Sequence, residues 1–252
     1  MKRDYPTHLH VTTDGKVSHD LCQYHCLPFA FEKCNQPHTV ECKACSTFFS
    51  LFSDLRTKLP VECKENLLDI QKQLEYYLAH QTRKVYTNAQ ITANLAQLDE
   101  DGALIIIDYK MKILPCRARE TKQQFFGKRG WSLHTVLIYT KKPGNNHEYQ
   151  IEAHDHWSGD TRQDAWFTAS SLHAVFSEMT KKPKWIIILS DNGPHYHNTE
   201  MMALLSNWKT WYDITIKKWI FLEAGEAKTS IDSHHAQVSK ISTKKHFKFL
   251  LV

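Results

Sequence analysis

The sequence lacks the segments that would place a protein in or across a membrane. Its 252 residues contain no run of eighteen apolar residues, which excludes an ordinary transmembrane helix. The first residues, MKRDYPTHLHVTTDGK, have no apolar stretch of the kind that a secretory signal needs. Internal repeats are also missing, so a repeat architecture is excluded. We therefore predict an intracellular protein with no membrane partner, nuclear if its source is eukaryotic.

An intracellular protein works in a reducing compartment, and this changes how its cysteines are interpreted. The seven cysteines are expected to be metal ligands or free thiols before disulfides. Sixteen histidines are also a high number for one chain and point to metal chemistry. The formal charge of +5 fits a surface that binds phosphates without requiring one. With 42% apolar residues, the chain can bury a substantial core.

Five of the cysteines fall in one short segment near the N-terminus. Cys22 and Cys26 form a first pair, Cys42 and Cys45 a second, and fifteen residues separate the pairs. This is close to the spacing of structural zinc sites, so we predict that these four residues bind Zn²⁺. The same segment contains alternative ligands, namely Cys34, His25 and His38. Free buried thiols are the competing interpretation.

The rest of the chain separates into a helical stretch and a region of alternating short elements. Apolar residues recur at intervals of three and four from Pro60 to about Gln97, which predicts helix with a break near Tyr86. We assign 1–58 to a zinc-binding module, 59–99 to a helical linker and 100–252 to a core. In the core, strands are predicted at 103–114, 131–140, 147–155, 185–190 and 213–223, and helices at 161–180, 200–209 and 230–242. Asp160 is the predicted cap of the first of these helices.

The order of these elements predicts an α/β fold. Three consecutive strands suggest an antiparallel meander, and the later alternation of strands with helices suggests parallel crossovers. The result is a mixed five-stranded sheet with helices on its faces. This element order is the ribonuclease-H-like order.

Two aspartates stand where apolar strands end. Asp108 lies in IIIDYK and Asp191 in ILSDNG, on the first and fourth predicted strands. If these strands are neighbours, the carboxylates would repel and raise one another's pKa, whereas Mg²⁺ or Mn²⁺ would accept them as oxygen ligands. Ordinary acids in turns are the alternative. For a third ligand we favour Asp232, on the first turn of the last helix, over Glu226 in the preceding loop.

Several segments together resemble a known family. They are IIIDYKMKIL, the RARETK and FFGKRGW block, DHWSGDTRQDAWFTASSLHAV, SDNGPHYHN and WIFLEAGEAKTSIDSHHAQ. These segments, over about 102–237, resemble transposon-derived proteins with a DDE/D-type transposase core, and the preceding Cys/His region is also similar. The resemblance implies that Asp108, Asp191 and Asp232 are the catalytic triad and bind Mg²⁺ or Mn²⁺.

The resemblance also implies a function. A polynucleotidyl transferase of this kind cleaves and joins DNA phosphodiesters by a two-metal mechanism, in the recombination of a transposable element. DNA would be the partner, with a homo-oligomer assembled on DNA ends. Such cores usually continue with more helix than this sequence contains, so a copy truncated at its C-terminus and inactive is one alternative. A domesticated zinc-containing protein that binds nucleic acid without catalysis is the other function we keep open.

Basic and histidine residues surround the predicted triad. Solvated surface charge is the usual role of such a basic group, and contact with DNA phosphates is the functional one. The basic candidates are Arg117, Arg119, Lys122, Lys128 and Arg129. Histidines near the triad could touch the scissile phosphate or a water, or could be polar loop residues. The histidine candidates are His195, His197 and His235, with His154 and His156 as further ones.

Overall fold

The computed structural model describes residues 19–114, 121–123, 130–222 and 230–244. The chain divides into two compact units, Met1–Ala96 and Gln97–Val252. In the described part of the first unit, the helices are α1 (Leu27–Ala30), α2 (Lys43–Lys58) and α3 (Val61–Ala96). None of the helices in the described residues is both long enough and apolar enough to cross a membrane.

The helix α3 is continuous over 36 residues, so the predicted break near Tyr86 is wrong. The Thr87 hydroxyl donates to the Arg83 carbonyl oxygen at 3.0 Å, which satisfies the hydroxyl within the helix instead of ending it. The same helix holds the Cys/His segment. The Thr82 hydroxyl donates to the Tyr24 carbonyl at 3.1 Å, and Arg83 donates to the Ala30 carbonyl at 2.7 Å.

The second unit is built on a mixed sheet. Its strands in the described residues are β1 (Gly102–Ile113), β2 (Trp131–Lys142), β3 (Asn145–Ser158), β4 (Trp185–Asp191) and β5 (Thr215–Leu222), in the order β3-β2-β1-β4-β5. The β1–β2 and β2–β3 pairs are antiparallel, and the β1–β4 and β4–β5 pairs are parallel. The predicted ribonuclease-H-like sheet is therefore confirmed.

The helices of the second unit cover both faces of this sheet. Among the described residues they include α4 (Ala165–Glu178), α5 (Thr199–Ser206), α6 (Trp208–Tyr212) and α7 (Ser230–Lys244). Leu172 and Phe176 of α4, with Met201 of α5, join the buried cluster that includes Ile105 and Ile107 of β1. Because side chains alternate along a strand, Asp108 lies on the opposite face, which α7 covers.

The start of α4 differs from the prediction. Asp164, not Asp160, caps this helix, because its carboxylate accepts from the Phe167 amide at 2.9 Å. Asp160 instead accepts from the Arg162 amide and from the Arg162 side chain. Either aspartate has the right chemistry for a cap, and local spacing did not distinguish them.

Candidate active site and metal centres

The sheet places Asp108 in a row of polar residues that crosses three strands. Asp108 of β1 is paired with Thr135 of β2, which is paired with Asp155 of β3. On its other side, β1 runs parallel to β4 with Ile106 opposite Leu189. Continuing that register by two residues brings Asp108 opposite Asp191. Since paired residues of neighbouring strands share a face, all four polar side chains belong to the same face.

The turn after β4 explains why a buried strand ends in Asp-Asn-Gly-Pro. The Gly193 amide donates to Asp191 Oδ1 at 2.7 Å, and His195 Nε2 lies 3.4 Å from the same oxygen. A Cβ atom on Gly193 would come within 2.4 Å of the His195 ring and 2.8 Å of that carboxylate oxygen. Glycine is needed here for close approach, so that an amide and an imidazole can hold one carboxylate.

Helix α7 is anchored above the row by two buried side chains four residues apart. Ile231 is buried on the sheet, and so is His235. His235 Nδ1 lies 3.5 Å from Asp108 Oδ2, and His235 Nε2 lies 2.9 Å from the Thr135 hydroxyl oxygen. Asp232 is on the exposed side of the first turn of this helix. The carboxylate that was predicted to complete the triad is thereby placed near β1.

The pKa of Asp108 reflects its burial and the charges near it. Burial, the Asp191 charge and the Asp232 charge, in that order, raise the pKa of Asp108 to about 7. The pKa of Asp191 is instead lowered, mainly by its hydrogen bond from His195 and also by the Gly193 amide. The two neighbouring carboxyl groups therefore differ in proton affinity. Two titratable groups whose environments push their pKa values apart are a feature of acid–base and metal sites.

A second set of contacts, which the sequence reasoning missed, supports His235 from behind. The Thr135 hydroxyl donates to Asp155 Oδ1 at 2.6 Å, so its oxygen is left to accept from His235 Nε2. His234 Nε2 lies 2.9 Å from Asp155 Oδ2. Burial, followed by the Lys110 charge, lowers the pKa of His235 to about 4, so this ring is neutral. Because Nε2 carries the proton of this neutral ring, the unprotonated Nδ1 of His235 faces Asp108.

Other histidines near the triad have different environments. His154 and His156 lie within β3, where they are paired with Val136 and His134. Alternation puts them on the face opposite Asp108, so they do not face the carboxylates. His197 Nδ1 lies 2.7 Å from Asn192 Oδ1, and the ring stacks on Phe221 at 4.5 Å.

Part of the predicted site falls outside the described residues. This applies to Glu226 and to four of the basic candidates, namely Arg117, Arg119, Lys128 and Arg129. Lys122 is described and is exposed. The role of these residues stays a prediction, as does the preference for Asp232 over Glu226.

The Cys/His segment forms two clusters of four, not one. In each cluster all ligand atoms lie within 4.8 Å of one another, and either cluster could hold zinc. The first cluster is Cys22, His25, Cys42 and Cys45, and the second is His19, Cys26, Cys34 and His38. Cys26 therefore does not join the other three predicted cysteines. His25 stands in its place, and His19 was missed by the sequence reasoning.

Within the described ranges, these two clusters are the groups of three or more potential ligands that approach so closely. Asp108, Asp191 and Asp232 interact electrostatically but do not form a group that tight.

Comparison with known proteins places the second unit in a family. Residues 87–249 match the family described as Domain of unknown function (DUF8701), and these residues are more than half of the chain. The chain belongs to this family. No curated protein matches it. Among solved structures, the DUF8701 chain is similar to a chain in the crystal structure of the Mos1 strand transfer complex, with 12% identity and a TM-score of 0.30. The match covers 60% of this chain and 44% of that one.

Proposed function

We propose that the protein is a transposase-like polynucleotidyl transferase that cleaves and joins DNA phosphodiesters. The observation that best supports this proposal is the register of β1 with β4, which when continued brings Asp108 opposite Asp191; after burial, the charges of Asp191 and Asp232 also raise the pKa of Asp108. Asp108, Asp191 and Asp232 would be the catalytic metal ligands. The strand order supports the proposal, because β1 and β4 are neighbours and Asp191 is the last residue of β4.

The donor set fits a hard divalent cation such as Mg²⁺ or Mn²⁺. Carboxylate oxygens are the ligands that these ions prefer, and Mg²⁺ is usually held by one or two of them while keeping several waters. A cation here would also offset the burial and the neighbouring Asp191 and Asp232 charges that raise the pKa of Asp108. When bound, two such ions supply charge neutralisation for the attacking and leaving oxygens in phosphoryl transfer.

The protein's own contribution is to hold the carboxylates in place. The Gly193 amide and the His195 ring orient Asp191. His235 lies against Asp108 and is itself held by Thr135. These contacts exist before any ligand arrives, so the carboxylates need little reorganisation to accept one. Asp232 is exposed on the same side, where DNA has access.

The proposed substrate is DNA, bound in part through the basic segment that follows β1. Arg117, Arg119, Lys122, Lys128 and Arg129 would contact phosphates without reading sequence. Assembly of two or more copies on DNA ends belongs to the same proposal. Phosphate contacts of this type weaken steeply as salt concentration rises.

A second function, nucleic-acid binding without chemistry, is favoured by one observation. The three carboxylates do not form a group as tight as the Cys/His clusters, in each of which all four ligand atoms lie within 4.8 Å of one another. In that case the Cys/His region would bind the nucleic acid, and the three aspartates would be a remnant of a catalytic site.

One experiment distinguishes the two functions. Purified protein is incubated with a labelled DNA duplex and Mg²⁺ or Mn²⁺, and nicking and duplex binding are measured in parallel. We expect Asp108→Asn and Asp191→Asn each to abolish nicking. DNA binding should be unchanged in both variants, and their thermal unfolding should stay cooperative. Asp160→Asn is the matched control, because Asp160 is an exposed aspartate that pairs with Arg162 and lies outside the predicted triad.

Retained nicking in both variants would rule out the carboxylate site. Binding by the wild-type protein without nicking at any concentration of either cation would instead establish the second function. The Asp160→Asn control excludes a general effect of removing one negative charge from the surface.

A further inference from the structure

We propose that the N-terminal segment binds two zinc ions, the second at His19, Cys26, Cys34 and His38. The sequence pattern pointed to one site and did not include His19. The second cluster has two thiols and two imidazoles, a set typical of structural zinc. The first cluster has three thiols and one imidazole, which is another such set.

The distances within the second cluster match the edges of a zinc tetrahedron. With Zn–S bonds of about 2.3 Å and Zn–N bonds of about 2.0–2.1 Å, two sulfurs lie about 3.8 Å apart and a sulfur and a nitrogen about 3.5 Å apart. Cys26 Sγ and Cys34 Sγ are 3.8 Å apart. His19 Nδ1 lies 3.5 Å from Cys26 Sγ and 3.4 Å from Cys34 Sγ. All three distances leave room for one ion at the centre.

The fourth ligand of the second cluster is available for a metal. His38 Nε2 is buried and has no hydrogen-bond partner in the described structure. A buried ring nitrogen without a partner is costly, and a metal ion would satisfy it. Cys26 and Cys34 form no disulfide.

The first cluster has the same geometry, which supports applying one interpretation to both. His25 Nε2 lies 3.7 Å from Cys42 Sγ and 3.5 Å from Cys45 Sγ. The Cys45 amide donates to Cys42 Sγ at 3.4 Å, a contact that stabilises the thiolate form. His25 and Cys45 are both buried, so the cluster is shielded from water.

The two sets of ligands interleave along the chain. Cys22 and His25 of the first cluster lie between His19 and Cys26 of the second. The Cys34–His38 pair of the second cluster then lies inside the loop that the first cluster closes. Each ion therefore ties together segments that the other ion also holds. Loss of one ion should loosen the ligands of the other, so we expect the two ions to bind cooperatively.

The test is the zinc content of the purified full-length chain, measured by elemental analysis against protein concentration. We expect two zinc ions per chain in the wild type. Cys34→Ser should lose at least one, and Cys45→Ser should lose at least one. Cys63→Ser is the matched control, because Cys63 is an exposed thiol outside both clusters, and it should retain two.

Cobalt substitution keeps the proposal testable if a variant fails to fold. In the unmutated chain, two tetrahedral sites with five thiolates in all should bind two Co²⁺ ions and show the visible absorption of tetrahedral cobalt. One ion per chain, or a second ion with octahedral absorption, would overturn the proposal. So would a Cys34→Ser variant with unchanged zinc content, or a Cys26–Cys34 disulfide in protein purified under reducing conditions.

Discussion

The Cys/His segment and the three aspartates Asp108, Asp191 and Asp232 bring metal ligands together in opposite ways. The eight residues of the two Cys/His clusters fall within 27 positions, His19 to Cys45. The three aspartates are spread over 125 positions, Asp108 to Asp232, on two strands and a helix of a large apolar core. Ligands close in sequence depend on a metal for their arrangement, whereas distant ligands depend on the fold that carries them.

The comparison also explains which pairing was predictable. From the sequence alone, many combinations of four ligands in the Cys/His segment are equally possible. The predicted set combined members of both clusters. In the sheet, the strand order allows few arrangements of the aspartates. The topology alone predicted that Asp108 and Asp191 lie on neighbouring strands. Short loops leave ligand choice open, and regular secondary structure narrows it.

Metal removal should give the largest difference between the Cys/His segment and the sheet. We expect a zinc chelator to abolish hydrogen-exchange protection in residues 19–50 while β1 and β4 keep theirs, because structural zinc contributes about 10–16 kcal/mol in small zinc modules. Hydrogen exchange followed by mass spectrometry measures both regions in one sample. Loss of protection that begins in β1 would contradict the independence of the two units.

The Asp108→Asn variant tests the opposite behaviour at the sheet edge, where we expect mutation to stabilise the fold. The folded-state pKa of Asp108 is about 7, above its ordinary value of 3.8. The folded state therefore holds its proton more tightly, and the free energy of unfolding falls as the pH rises from about 4 to 7. Above pH 7 the full penalty applies, up to about 4 kcal/mol at 1.36 kcal/mol per pKa unit.

Asparagine cannot ionise, so Asp108→Asn should be the more stable protein at pH 8 and should equal the wild type near pH 3.5. Denaturant unfolding at both pH values, in buffer with zinc but without magnesium, provides the measurement. Asp160→Asn is the control for removal of one negative charge from an exposed position. A variant that is less stable than the wild type at pH 8 would show that Asp108 has a favourable partner.

Gly193→Ala should disturb the turn that orients Asp191. The new methyl group would meet the His195 ring at 2.4 Å, so the ring or the turn must move, at a cost of about 1–3 kcal/mol. Gly159 is the matched control, because a Cβ atom there meets nothing within 4 Å. Thermal unfolding of Gly193→Ala and Gly159→Ala should therefore separate clearly. Equal melting temperatures would mean that the turn adapts without cost.

Thr135→Val should have the smallest effect. It removes the hydroxyl that donates to Asp155 and accepts from His235, both of which are partly or fully buried. Leaving such groups unsatisfied costs about 1–3 kcal/mol, part of which His234 offsets by keeping its contact with Asp155. Thr140→Val on the same strand is the control. Unfolding in denaturant compares the two, and an equal loss in both would assign the effect to the strand and not to the contacts.

Much of the fold was predictable because the signals were local. The apolar run of β4 ends at Asp191, as predicted, since a buried parallel strand needs apolar side chains on both faces. Strand order followed from the sequence of elements along the chain. The cap of α4 was not predictable, because Asp160 and Asp164 offer the same carboxylate at adjacent turns.

The sequence by itself determined the five strands of the sheet, their order and the positions of Asp108 and Asp191 on the first and fourth strands, because these depend on hydrophobic period and on chain connectivity. Only the tertiary structure decided the contacts made between distant residues. Thr135 and His235 are 100 positions apart, and nothing in the local pattern of either marks the other as its partner. The division of eight Cys/His ligands into two clusters was decided in the same way. Spacing restricts how far a loop can reach, but the path of the loop in three dimensions determines which side chains meet.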